Sequence, residues 1–113
     1  MSLPKPGDRI LIVKEPWLSL ILAGKKKMEI RGARLSSGKW YLGFKKQIYG
    51  VMVTGKAQHI PTSNQFRELR GLHRVSGSLP YKKTFGLPIQ HVSVLKPMFF
   101  THPRGAQSIV LYR

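Results

Sequence analysis

The chain contains no cysteine, which excludes disulfide bonds and thiolate metal sites. Acid is scarce as well: Asp8, Glu15, Glu29 and Glu68 are the full set, too widely spaced to suggest a two-metal site. The histidines, His59, His73, His91 and His102, show no close ligand spacing. Neither a metal nor a cofactor is therefore expected. No apolar run approaches the roughly 20 residues of a membrane span. The N-terminus lacks the charged, apolar and cleavage-site order of a secretory signal. These absences point to an intracellular protein, cytoplasmic or nuclear, without membrane attachment. There is also no internal repeat, low-complexity tract or interdomain linker.

What is abundant is positive charge. Twenty Lys and Arg against four acids give a net charge of +16 in 113 residues. Such an excess opposes compaction, and polyanion binding is its usual compensation, because Lys and Arg displace counterions from phosphates. A hydrophobic fraction of 42% argues for a folded chain. We expect a flexible leader over residues 1–8 and a single domain over 9–113, with a monomer as the working expectation.

Periodicity outlines the elements. Ile10-Leu11-Ile12-Val13 has the length and β-branched content of a buried strand. Pro16 suits a helix start, apolar residues run from Trp17 to Leu22, and Gly24 supplies a left-handed cap, giving a buried helix over 16–23. Met28 and Ile30 then alternate with Glu29 and Arg31 in a strand over about 26–31. That alternation puts Lys26 on the Met28 face unless the preceding turn rotates it. Residues 39–46 form an aromatic strand, with Trp40, Leu42 and Phe44 inward and Lys39, Tyr41 and Lys45 outward. A longer strand over 47–60 carries Gly50 and Gly55 as bends. Thr62-x-x-Gln65 has the form of a capping box for a helix over 63–73. A connection over 79–86, a strand over 89–95, a loop over 97–105 and a closing strand over 108–112 complete the chain. Short strands interrupted by helices indicate an α+β barrel.

Three motifs carry a resemblance. Gly24-x-Lys26-x-x-Glu29-x-Arg31, preceded by Pro16-Trp17, resembles the signature of ASCH domains, small β-barrels of the PUA-like superfamily. His73-Arg74-Val75 with Leu79–Gly86 is similar to a second ASCH segment, and His102–Ala106 resembles the turn before the last strand; Leu87 departs from the aromatic residue expected there. The resemblance implies a PUA-like small β-barrel with about two flanking helices and a cleft lined by the signature residues. It also implies RNA-related function, since some ASCH proteins are linked to amide hydrolysis on acetylated cytidine and others to RNA cleavage.

The leading expectation is a module that binds RNA or single-stranded nucleic acid, RNA ahead of DNA, in a basic cleft. Its candidate contacts are Lys25, Lys26, Lys27, Arg34, Arg67, Arg70, Arg74, Lys82, Lys83 and Arg104 for phosphates, Glu29 and Arg31 as polar readers, and Tyr41 and Tyr81 for base stacking. Trp40 is expected in the core, and Trp17 in the core or the cleft wall. The alternative is a metal-independent hydrolase acting on RNA or on a modified nucleoside such as N4-acetylcytidine, using Lys26, Glu29, His73 and Tyr81 for proton transfer. Against amide hydrolysis, Glu29 stands where the hydrolytic members resemble a threonine, and no acid occurs near residues 73–77. For His73 a structural role, with the ring bonded to backbone carbonyls at a helix end, is the competing expectation. A reader of one modified base, as in related PUA-like folds, is a third.

Overall fold

The computed structural model describes residues 3–106 and 108–113. Strand β1 (Arg9–Ile12) is followed by helix α1 (Trp17–Leu22) and strands β2 (Met28–Arg31), β3 (Gly38–Phe44), β4 (Gln47–Thr54) and β5 (Gln58–Ile60). Helices α2 (Ser63–Glu68) and α3 (Arg70–His73) come next, then β6 (Thr84–Phe99) and β7 (Ile109–Leu111). The strands form one mixed sheet in the order β2-β6-β4-β3-β1-β7, with β5 also paired to β6. β1 runs parallel to β3, and the other pairings are antiparallel.

The sixteen-residue β6 replaces the shorter strand expected over 89–95 and absorbs part of the flanking segments read as connection and loop. Its first residues, Thr84–Pro88, pair with β2 and β5, while Ile89–Phe99 pair with β4. One strand thus serves both halves of a curled sheet. The long strand expected over 47–60 is divided: β4 ends at Thr54, and β5 begins at Gln58. Of the expected leader, residues 1 and 2 lie outside the described residues. The segment before residue 9 is tied to the end of the chain, with Gly7 N–H donating to Tyr112 O at 2.7 Å and Tyr112 N–H to Asp8 O at 2.8 Å.

The helix after β1 forms for the reasons its sequence gives. Leu18 and Ile21 are buried, and the Glu15 carboxylate accepts from the Ser19 backbone N–H at 2.8 Å. At its C-terminal end Gly24 adopts φ +74°. Gly24 N–H then donates to Ile21 O and Lys25 N–H to Leu20 O, closing two otherwise orphaned carbonyls. Thr62 Oγ1 accepts from Gln65 N–H, so the expected cap opens α2, although the expected single helix divides into α2 and α3 at Leu69.

Both faces of the sheet centre are covered, which alters one sequence expectation. Leu11, Val13, Trp40, Leu42 and Met52 pack with α1, while Ile10, Tyr41, Ile48, Val51 and Phe100 form a second core on the opposite face. Tyr41 is therefore a core residue with 0% exposure rather than an outward aromatic, and no base can stack on it. Its face is covered because Phe100 and the segment leading to β7 fold back over it. A third cluster of Met28, Ile30, Ile60 and Phe66 joins β2 to β5 and α2.

Gly50, one of the two glycines expected to mark bends, sits at a register shift between β4 and β6. A Cβ there would lie 2.6 Å from Leu22 Cδ2 and 2.8 Å from the Ser93 carbonyl oxygen. Because the second contact is backbone, the neighbour cannot simply rotate away. Gly50→Ala should cost about 1–3 kcal/mol, read as a lower denaturant midpoint at unchanged slope.

Candidate nucleic-acid interface

The cleft lies where the curled sheet brings β2 back beside β1. The guanidinium of Arg31, on β2, donates to the Ile12 carbonyl on β1 at 2.8 Å. It also donates through Nε and a terminal nitrogen to Glu29 Oε2, at 2.9 and 2.7 Å. Lys26 approaches the other carboxylate oxygen, with Nζ 3.6 Å from Glu29 Oε1. The same ammonium donates to the His73 carbonyl at the end of α3 and lies 5.0 Å from the centre of the Trp17 ring. One acid is thus shared by two cations drawn from a turn and a strand.

The conflict over Lys26 is resolved by where β2 begins. The strand starts at Met28, so Lys26 belongs to the turn and is not bound by strand alternation. The turn is fixed on both sides: Lys27 N–H donates to Leu72 O at 2.7 Å, and Ile89 N–H to Lys27 O at 2.9 Å. Lys26 is consequently only 1% exposed, not a flexible point charge waiting for phosphate. Burial pushes its ammonium below the usual lysine range, and the Glu29 carboxylate opposes that push.

These residues floor a cavity of about 370 Å³. Trp17, Val75, Pro80 and Tyr81 give it apolar and aromatic walls, while Lys14 and Ser108 stand at the sheet side. Tyr81 is 46% exposed, and its ring rests on the bare backbone of Gly32, where a Cβ would lie 2.9 Å from Cδ1. Of the sequence candidates, Lys26, Glu29, Arg31 and Tyr81 come together here. Lys14 and Ser108 were missed: neither belongs to a motif, and only the pairing of β1 with β7 brings them to one place. The Ile12 N–H to Ser108 O bond, 2.8 Å, marks that junction.

Other candidates lie apart from this cleft. Lys27 borders a shallower hollow with Gln90 and His91, and Lys25 is exposed beside it in sequence. Arg34 donates to Ala57 O at 3.1 Å and lies over the Phe85 ring. Arg67 bonds Asn64, and Arg70 and Arg74 are exposed on and just after α3. Lys82 and Lys83 are exposed immediately after Tyr81, and Arg104 is exposed in the turn before β7.

His73 does not face the cleft. It is 0% exposed and stacks on Phe66 with ring centres 4.1 Å apart. Its Nε2 lies 2.7 Å from the Phe66 carbonyl and Nδ1 accepts from Val75 N–H at 2.9 Å, which assigns the proton to Nε2. Both ring nitrogens are occupied by backbone, so the acid–base role expected from the sequence gives way to a structural one.

Two outcomes follow from this burial. Desolvation holds the folded His73 below its ordinary value of 6.5, with the Phe66 bond opposing it. Between the two values the unfolded chain binds more protons, so His73 takes nothing from stability above pH 6.5 and lowers it as pH falls below that value. A thermal midpoint measured from pH 7.5 to 5 should fall, and His73→Gln should flatten that decline. Glu29→Gln leaves the buried Lys26 ammonium facing the half-buried Arg31 guanidinium and should cost about 3–5 kcal/mol in chemical denaturation.

No protein-family model matches the sequence, and no curated protein matches it. Solved structures do. A serine-to-alanine variant of the ASCH protein from Zymomonas mobilis matches with a TM-score of 0.77 at 12% identity, covering 98% of this chain and 92% of that one. The structure titled simply as ASCH from the same organism gives 0.74 at 13% identity, over 95% of this chain and 88% of that one. A tyrosine-to-phenylalanine variant gives 0.74 at 12%, over 95% and 91%. Identity this low speaks for architecture, and the agreement extends over nearly the whole chain. The protein has the fold of an ASCH domain, a PUA-like half-barrel with short helices.

Proposed function

We propose that this chain is a nucleic-acid-binding module that seats one nucleotide of RNA or of a single strand in the cleft between β1 and β2. The observation that carries this reading is the composition of the cavity: an acid–guanidinium floor, aromatic walls and exposed lysines at the margin of a chain with net charge +16. Its volume falls within the range of about 300–1,000 Å³ typical of small-ligand pockets. Arg31 binds Glu29 through Oε2, which leaves Oε1 with acceptor capacity for an exocyclic amine or a ribose hydroxyl. Tyr81 and Trp17 offer ring faces to a base, while Lys14, Lys82 and Lys83 supply mobile charge for phosphates. The RNA association of ASCH domains and the PUA-like fold support RNA ahead of DNA.

Anisotropy with a labelled eight-nucleotide RNA tests this. Log affinity should fall linearly with log salt between 50 and 300 mM, by about 0.7 per neutralised phosphate. Tyr81→Ala should weaken binding by about tenfold, corresponding to about 1.4 kcal/mol of lost stacking. Binding that ignores salt would overturn the reading.

One observation favours a second reading, hydrolysis of RNA or an acylated nucleoside. The Lys26 amine is buried beside a carboxylate and held below its usual pKa, which suits a group that exchanges protons with a substrate. Tyr81 is the remaining candidate able to reach a substrate, since His73 is enclosed. Incubation with labelled RNA and N4-acetylcytidine in EDTA decides between them. Product formed by the wild type and lost in folded Lys26→Met would make the protein an enzyme. No product from either substrate leaves binding alone.

A further inference from the structure

We propose that a strand seated in the cleft continues across the adjoining end of the sheet, over the β3–β4 turn, to stack on Phe99. This track rests on the nucleic-acid reading above and extends it. Phe99 is 78% exposed, the largest exposure among the described large apolar residues. Its neighbours Met98 and Phe100 pack into the core beneath Tyr41, so alternation turns Phe99 to the opposite face, the one carrying α1. It pairs with Gln47, which pairs in turn with Phe44. Gln47 accepts a 2.8 Å bond from the Tyr49 hydroxyl, and Phe44, Tyr49 and Trp17 all lie half-buried against the same core cluster.

The register fixes where this row begins. Ile12 is aligned with Gly43, and Val13 N–H donates to Gly43 O at 2.9 Å, so Lys14 stands beside the start of the β3–β4 turn. From β1 through β3 and β4 to β6 is three strand spacings, about 14 Å. At 3.4 Å or more per nucleotide this spans on the order of two to four nucleotides. Lys14, Lys45, Lys46 and Lys96 are exposed along the route. The one acid beside it, Glu15, is hydrogen-bonded to Ser19.

A second observation concerns the turn itself. Lys45 and Lys46 form a two-residue hairpin loop with φ of +49° and +65°. Both central residues of such a turn favour Asn and Gly, because a side chain in the left-handed region is strained. Two lysines therefore occupy positions where local conformation favours other residues, next to an exposed aromatic ring. Alternating cations and ring faces is the arrangement by which proteins hold single strands with little sequence preference.

The replacement that relieves the strain also removes the charge. Lys45→Asn with Lys46→Gly should raise the thermal midpoint while lowering affinity for an eight-nucleotide oligouridylate. The log–log salt slope should drop by about 1.4, for two phosphates released. Phe99→Ala, on an exposed side chain, should weaken the eight-nucleotide ligand about tenfold and leave a competing uridine dinucleotide unaffected. A dinucleotide bound as tightly as the eight-mer, or variants that bind the eight-mer like wild type, would overturn the track while leaving the cleft reading intact. Wild type that binds neither ligand removes both. Loss of binding to phosphatidylserine vesicles on Phe99→Ala, with oligonucleotide binding unchanged, would assign the patch to a membrane surface and also overturn the track.

Discussion

One carboxylate organises the cleft. Glu29 holds the Lys26 ammonium on one side and the Arg31 guanidinium on the other, and these cations in turn grip the end of α3 and the edge of β1. Four chain segments converge on two oxygens. Such an arrangement is an inefficient source of stability, since apolar residues of equal volume often do as well or better. It forms the floor of an aromatic-walled cavity, and that placement is what the proposed binding relies on. The carboxylate is paired with two cations, oriented by fixed donors and presented to the cavity.

The distribution of charge follows a related logic. Asp8 caps a turn and faces Lys39, Glu15 caps α1, and Glu29 is buried. Three of the four acids are thus committed to internal contacts, and little remains to neutralise the exterior. The cations do not all gather in one groove: those of α2 and α3 are exposed on the helices, and Arg34 is bonded to the Ala57 carbonyl just before β5. The proposed binding uses only the local group around the cleft and the neighbouring sheet end, where aromatic rings lie between the lysines.

Much of the architecture was legible because local signals and tertiary demand agreed. The Gly24 cap, the Thr62 cap, the buried face of α1 and the Met28/Ile30 alternation all appear as the sequence implies. The pairing of Glu29 with Arg31 was visible as a strand neighbour relation, two residues apart on one face. Misreadings arose where a second layer covers what periodicity leaves outward. Tyr41 alternates with core residues, yet Phe100 closes over it from 59 positions away, which no local pattern reports. The orientation of Lys26 stayed open between the Met28 face and a turn rotated outward, because nothing local announces the α3 carbonyl that receives its ammonium. Lys14 and Ser108 belong to opposite ends of the chain and meet through sheet register alone.

The shared strand β6 has a mechanical consequence. Each half-sheet keeps its own ladder along β6, and the cleft occupies the open side, so the molecule resembles a book with β6 as its spine. The Arg31 hydrogen bond to Ile12 is a clasp between the covers. A flexing of the spine would widen the opening while leaving both ladders paired, and the Arg31–Ile12 bond is the contact that such a motion would have to break.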